Sequence, residues 1–257
     1  MAETVRSLRI LLSYDGTDFS GWQIQPGKRT VQGVLKEALR QLGDNEAICQ
    51  ASGRTDAGVH AGGQVVGVRT KLSIPLPKMR GALQAFLPKD VVIKCVAEAP
   101  SDFDPTRWAI SKMYRYTILH GVAPDVFSRQ YCLYLSSFLD AGSMAEAAKS
   151  LIGTYDFRAF ESRWPNRASS VRTITMAEVR WEGGWIWLEI TSNGFLYNMV
   201  RAIVGTLILI GRKVKGPDFI GQVLHAGKRS LAGPTAPAHG LCLERVDYPP
   251  PLDMWPE

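Results

Sequence analysis

The sequence predicts an α+β fold built from two ferredoxin-like halves, each with the element order β-α-β-β-α-β. Two observations predict it. Strand and helix patterns follow that order over the first hundred residues, and the rest of the chain repeats it. A chain of 257 residues, 46% of them apolar, can also bury a core for both halves. Side by side, two such halves would form a mostly antiparallel central sheet flanked by helices, with the active site in a central cleft.

The first half begins with a β-rich run at residues 8–14. Thr30 then provides the N-cap of a helix that carries its apolar residues on one face, and Gly43 ends that helix. The remaining elements are two strands, a helix and a strand, at residues 47–51, 64–69, 77–87 and 91–96.

The second half repeats this order, with one additional helix before its last strand. Its predicted elements are a strand, a helix, a hairpin, two helices and a strand, at residues 112–119, 141–151, 171–192, 195–210, 217–224 and 241–246. The hairpin turn is Glu182-Gly183-Gly184. The run 195–211 is apolar but short for a bilayer span, and Arg201 lies within it, which predicts a buried core helix. We expect one domain at 1–105 and a second at 106–257.

Composition restricts the classes of partner and compartment. Lys and Arg number 30 against 24 Asp and Glu, which gives a net charge of +6 and mildly favours a polyanionic partner. The four cysteines lie far apart without CxxC spacing, so neither a zinc site nor a disulfide framework is indicated. The first residues carry no signal-peptide pattern. We therefore expect a cytoplasmic protein with no membrane association.

The stretch GRTDAGVH, residues 53–60, connects the second and third predicted strands and combines three ionisable residues with very small ones. Three interpretations compete. It is a solvated polar turn, a metal site formed by Asp56 and His60 that lacks a third ligand, or a catalytic loop in which Asp56 is the reactive carboxylate beside Arg54. Spacing alone leaves all three open.

Arg201 favours the catalytic interpretation. An unpaired guanidinium in so apolar a helix is destabilising by about 3 to 5 kcal/mol, so Arg201 requires a carboxylate. Asp56 precedes the third strand of its half and the Arg201 helix follows the third strand of the other, which makes Asp56 the favoured partner. The alternative is that the long arginine stem reaches solvent.

Further residues suit an RNA ligand. Tyr114 and Tyr116 share one face of a strand, either as core packing or as a surface on which a base stacks. A polar segment combines several arginines with an aromatic ring: Arg158, Arg163, Trp164, Arg167 and Arg172. It is either a solvated face or a surface that binds the RNA backbone.

GRTDAGVHA closely resembles the active-site motif of the TruA family, the tRNA pseudouridine synthases of type A. Further matches follow in the family's order along nearly the whole chain: YDGTDFSGWQ from Tyr14, YRY from Tyr114, NGFLYNMVRAIVG from Asn193 and TAPAHGLCLERVDY from Thr235. The resemblance implies the pseudouridine synthase fold. It also implies isomerisation of uridine to pseudouridine at positions 38, 39 and 40 of the tRNA anticodon stem-loop, by a homodimer without metal or organic cofactor.

The resemblance also implies roles for individual residues. Asp56 matches the essential aspartate, the nucleophile, and Tyr114 matches the tyrosine that contacts the uridine. Arg201 matches the basic partner of the aspartate, and Arg54 the arginine that helps displace the flipped nucleotide. His60 is then expected to be structural, holding the loop through backbone hydrogen bonds.

One segment departs from the family pattern. Arg107 stands one position away from the expected arginine, so it receives no role and its segment is interpreted as a connecting loop. Two other functions stay open: a catalytically inactive tRNA-binding protein of the same fold, and a metal-dependent RNA hydrolase.

Overall fold

A computed structural model of the chain describes residues 5–121, 123–162 and 169–256. Within these ranges the protein is α+β, with five α-helices and a large, mostly antiparallel sheet, which confirms the predicted class. The chain divides into two compact units. Unit 1 comprises Met1–Ile110 and Leu243–Glu257, and unit 2 comprises Ser111–Cys242.

The sheet of unit 1 has the strand order β4-β1-β3-β10, with β2 also paired to β3. Its elements are β1 (Arg6–Tyr14), α1 (Val31–Gln41), β2 (Ile48–Ala51), β3 (His60–Thr70), α2 (Leu76–Gln84), β4 (Val91–Glu98) and β10 (Leu241–Asp247). The pairs of β1 with β3 and β4, and of β2 with β3, are antiparallel. The Thr30 side chain caps α1 by accepting a hydrogen bond from Gly33 N, as predicted.

Alternation along β1 places its side chains on two faces. Leu8, Ile10 and Leu12 are almost completely buried on one face. Arg9, on the other face, is covered by residues 248–256 and donates hydrogen bonds to the carbonyl oxygens of Leu252 and Met254. The chain itself therefore covers both faces of this strand.

Unit 2 contains a sheet with the order β5-β9-β8-β7 and a short strand, β6, parallel to β5. Its elements are β5 (Ser111–His120), β6 (Leu133–Leu135), α3 (Ala141–Lys149), β7 (Gly153–Asp156), β8 (Val171–Glu182), β9 (Trp185–Ser192), α4 (Met199–Gly211) and α5 (Phe219–Ala226). Gly183 and Gly184 join β8 to β9 with φ of 53° and 88°. Two consecutive positive φ angles identify a two-residue hairpin turn of type I′.

Several elements of unit 2 differ from the sequence prediction. Helix α4 begins at Met199 rather than at Phe195, because Asn198 adopts a left-handed conformation with φ of 61°. The strands β6 and β7 were not predicted. The core character of α4 is confirmed, since eleven of its thirteen residues are buried. No helix within the described ranges is long and apolar enough to cross a membrane.

Candidate active site

The loop between β2 and β3 carries two of the predicted site residues, Arg54 and Asp56. Arg54 is exposed, and Asp56 is half-buried. The loop turns sharply after Asp56, where Val59 N donates to Asp56 O at 3.1 Å and Gly58 has a φ of 76°. A partly shielded carboxylate beside an exposed guanidinium is thus presented on a tight turn.

A second loop, residues 15–22 after β1, supports this turn through backbone hydrogen bonds. Trp22 N donates to Thr55 O at 3.0 Å, on the residue before Asp56, and Gly58 N donates to Phe19 O at 3.2 Å. The two loops are in contact at Gly16 and Gly21. A Cβ atom on Gly16 would lie 2.1 Å from Val59 O, and one on Gly21 would lie 2.7 Å from Thr55 O. Only glycine fits at either position.

A network of buried polar groups supports the loop that carries Asp56. Gln64, which is fully buried on β3, accepts a hydrogen bond from Ser52 Oγ at 2.7 Å and donates one to Gly53 O at 2.8 Å. The hydroxyl groups of Tyr14 and Thr55 are 2.8 Å apart. The loop is therefore anchored on both sides of Arg54, and the side chain of Arg54 itself points to solvent.

His60 has the structural role expected of it. Its ring is buried, and Nδ1 accepts a hydrogen bond from Gly16 N at 3.0 Å. Asp15 Oδ1 lies 3.2 Å from the same nitrogen. His60 thus joins the two loops.

The tyrosines of β5 have different surroundings. Tyr116 is completely buried, its hydroxyl donates to Pro237 O at 2.8 Å, and burial raises its pKa. Tyr114 is 8% exposed, and the edge of Phe195 meets its ring at a centroid distance of 5.0 Å. Both tyrosines are therefore buried, Tyr116 completely and Tyr114 with a small accessible surface on the same side of the strand.

Arg201 lies in the first turn of α4, where neighbouring groups fix its orientation. Its Nε donates to Ala236 O at 2.7 Å, and its Nη1 donates to Asn198 Oδ1 at 2.8 Å. Asn198 Nδ2 in turn donates to Ser162 Oγ at 2.9 Å. The Arg201 side chain is half-buried and is held by oxygen acceptors within its own unit. The predicted pairing of Arg201 with Asp56 stays a prediction.

The arginine-rich segment is only partly described. Arg163, Trp164 and Arg167 lie outside the described residues. Arg158 donates through Nε to Asp156 Oδ2 at 2.8 Å, and this hydrogen bond lowers the pKa of Asp156 and raises that of Arg158. Arg172 Nη1 donates to Val171 O at 2.6 Å.

Arg107 occupies a turn, as expected of a connecting loop. Its backbone N–H donates to Asp104 Oδ1 at 3.0 Å, and Thr106 N donates to the same oxygen at 2.8 Å. Among the described residues, no group of three His, Cys, Asp or Glu side chains could hold a metal ion.

Comparison with known protein families shows to which family the chain belongs. The family model described as tRNA pseudouridine synthase matches residues 10–106 and 147–249. The chain belongs to the tRNA pseudouridine synthase family. The segments that match this family contain the Asp56 loop and helix α4, whereas Tyr114 lies between them.

Curated relatives extend the match to tRNA pseudouridine synthases over almost the full length. The protein named tRNA pseudouridine synthase A from Geobacillus kaustophilus is 46% identical over 242 residues, which cover 94% of each chain. That of Moorella thermoacetica is 44% identical over 243 residues, 94% of this chain and 99% of its own. A solved chain titled "Crystal Structure of a Cbf5-Nop10-Gar1 Complex" covers 78% of this chain and 53% of its own, with 12% identity and a TM-score of 0.34, too low to support any conclusion.

The sequence did not reveal the residues that support the Asp56 loop. Gly16, Gly21, Tyr14 and Gln64 entered the sequence analysis only as letters of a matching motif or of a strand. Two glycines five residues apart, between a strand and a helix cap, were the available signal, because closely spaced glycines often mark a backbone approached by another segment.

Proposed function

We propose that the chain is an isomerase that converts uridine to pseudouridine at positions 38, 39 and 40 of the tRNA anticodon stem-loop. The observation that carries this proposal is the loop that presents Asp56, held by a second loop, a buried network and glycines that leave no room for side chains. Membership of the tRNA pseudouridine synthase family supports the reaction and the tRNA substrate. The positions within tRNA rest on the resemblance of the motifs to the TruA family.

The reaction rearranges the nucleotide without changing its composition. The bond between N1 and the ribose C1′ breaks, a bond between C5 and C1′ forms, C5 loses its proton, and N1 gains one. Because the step is redox-neutral, it balances without a co-reactant. A carboxylate that adds reversibly to the ring or to C1′ allows the base to detach, turn and rejoin. Asp56 is the proposed nucleophile.

The other proposed site residues act on the substrate. Tyr114 stacks on the target base and is suited to help remove the C5 proton. Arg54, exposed at the tip of the loop, takes the place of the flipped nucleotide. Arg201 is the proposed basic residue of the site. The same proposal divides the chain into a half at 1–105 that carries Asp56 and a half at 106–257 that carries Tyr114 and Arg201, and it includes a homodimer in the cytoplasm.

Tritium release tests the reaction directly. An anticodon stem-loop tRNA labelled with tritium at C5 of uridine should lose its label with the unaltered chain. With Asp56→Asn it should keep its label while still binding in a filter or gel-shift assay, because the amide cannot act as the nucleophile but preserves the shape of the loop. Asp102→Asn, an exposed carboxylate elsewhere in unit 1, is the matched control and should release tritium normally.

Two outcomes would select the other functions. Binding without release by the unaltered chain would make the protein a tRNA-binding module of the same fold. Loss of activity in excess EDTA would favour a metal-dependent hydrolase. Undiminished tritium release by Asp56→Asn would remove Asp56 from its role.

A further inference from the structure

An ion pair joins two segments of unit 1 that lie 61 positions apart in the chain. Nη1 and Nη2 of Arg29, shortly before α1, donate to the two carboxylate oxygens of Asp90 at 2.8 and 2.9 Å. Asp90 directly precedes β4. The side chains are 39% and 26% exposed, so water screens the charges and the pair adds only modestly to stability. Its two parallel hydrogen bonds nevertheless fix the relative position of the two segments.

The main-chain carbonyl groups of the same two residues hold the loop 15–22, which supports the Asp56 loop. Asp90 O accepts a hydrogen bond from Asp15 N at 3.0 Å, and Arg29 O accepts one from Ser20 N at 2.8 Å. The loop is therefore attached to Asp90 where it begins and to Arg29 near its end. The ion pair connects these two points of attachment and closes a ring of contacts around the loop.

The guanidinium group of Arg29 makes a further contact with this loop. Its Cζ atom lies over the ring of Phe19, 4.0 Å from the ring centroid, a distance at which a cation and an aromatic ring attract each other. Phe19 itself is buried. A planar guanidinium can lie on a ring and form two parallel hydrogen bonds with a carboxylate at the same time, which the compact charge of a lysine cannot do. Both contacts together therefore require arginine.

Phe19 connects the contact with Arg29 to the Asp56 loop. Its carbonyl oxygen accepts the hydrogen bond from Gly58 N at 3.2 Å, and Gly58 belongs to the turn that follows Asp56. The path from the ion pair to the turn thus consists of one buried ring and one backbone hydrogen bond. Because a close-packed interior transmits small displacements, a shift of Phe19 would also shift the turn that carries Asp56.

We propose that Arg29 and Asp90 are positioning residues for the Asp56 loop. They act through Phe19 and through the attachment of the loop 15–22, and neither residue needs to touch the substrate. This proposal rests on the proposed function, because it concerns the geometry of the same nucleophile. Two other roles suit an exposed arginine. A simple link between α1 and β4 would affect stability, and a contact with the phosphate groups of tRNA would affect affinity.

The test measures tritium release, tRNA binding and denaturant unfolding for Arg29→Met, Asp90→Asn and the chain with both changes. Methionine keeps an apolar stem against Phe19 but removes the charge, and asparagine keeps the shape of Asp90 but cannot accept both parallel hydrogen bonds. We expect each single variant to lower kcat about tenfold, with KM and the denaturant midpoint little changed, because the position of the nucleophile is disturbed. The double variant should be no slower than Arg29→Met, since both changes break the same contact.

Arg40→Met is the matched control, because Arg40 forms an exposed ion pair with Glu37 within α1, and it should release tritium at the normal rate. Normal release by the unaltered chain, with kcat of both single variants within twofold of it, would overturn the positioning role and leave the proposed function intact.

Two further results would also overturn the positioning role. If Arg29→Met weakens tRNA binding and raises KM while Asp90→Asn does neither, Arg29 is a contact for RNA. If the denaturant midpoint falls and kcat does not, the ion pair is a structural link. Absence of release by the unaltered chain would contradict the proposed function itself, and this proposal with it.

Discussion

Two polar clusters in unit 1 are built on opposite chemical principles. The cluster below the Asp56 loop is neutral: hydroxyl, amide and carbonyl groups satisfy one another around Gln64. The cluster around Arg9 has a buried cation whose acceptors are backbone carbonyls, and its Nε has no hydrogen-bond partner among the described residues. Burial lowers the pKa of Arg9. The neutral network holds the loop in place without removing an ion from water. The buried guanidinium of Arg9 also holds a distant segment in place, but its desolvation is unfavourable for folding.

The comparison predicts that the two clusters affect different properties. The network around Gln64 touches the loop that carries the proposed nucleophile, so its loss should appear mainly in turnover. The cluster around Arg9 touches residues 248–256, far along the chain from that loop, so its loss should appear mainly in stability.

Gln64→Leu should have the largest effect. It removes the hydrogen bonds that Gln64 makes with Ser52 Oγ and Gly53 O, and the loop loses an anchor on one side of Arg54. A displacement of about 1 Å at a reacting group can lower kcat about 100-fold. We expect a loss of that order in the tritium-release assay, with a smaller change in KM. Turnover within twofold of the unaltered chain would show that the loop keeps its position without this network.

Arg9→Met should have an intermediate effect, on stability alone. The apolar side chain preserves packing against Trp255 but removes both hydrogen bonds to residues 252 and 254. We expect a loss of about 1 to 3 kcal/mol in the free energy of unfolding. Denaturant titration measures this loss, and kcat of the same sample should be unaltered. A fall in kcat that matches the one for Gln64→Leu would erase the distinction between the clusters.

Lys112→Met should have the smallest effect, and it extends the comparison to a half-buried cation in unit 2. Burial, together with the positive charge of Arg172, lowers the pKa of Lys112 to about 8. The folded pKa is below the unfolded one, so the folded chain disfavours the charged form. This penalty is complete below pH 8 and disappears as the pH rises through the unfolded value, about 10.4.

The substitution should therefore stabilise the protein at pH 7, by about 1 to 2 kcal/mol, and the gain should vanish near pH 10.5. Denaturant titrations of both chains at the two pH values measure the difference. An equal gain in the free energy of unfolding at both pH values would show that Lys112 acts through packing rather than through its charge.

The sequence by itself determined the features that depend on neighbouring residues. The cap and apolar face of α1, the alternation of Tyr114, Arg115 and Tyr116, and the Gly183-Gly184 turn follow from short-range geometry. Several short motifs in a fixed order were also enough to indicate the family and the proposed nucleophile. His60 was correctly expected to be structural, since a backbone hydrogen bond can be anticipated in a tight loop.

Only the tertiary structure decided the rest. It shows that Tyr116 is completely buried while Tyr114 keeps a small accessible surface, and that α4 starts at Met199 because Asn198 adopts a left-handed conformation. It also shows that Gly16 and Gly21 lie too close to the backbone of the Asp56 loop to carry a side chain. The physical reason is the same in each case: these features arise from contacts between residues tens of positions apart. Periodicity and capping patterns carry no information about which distant backbone comes within 3 Å of a given residue.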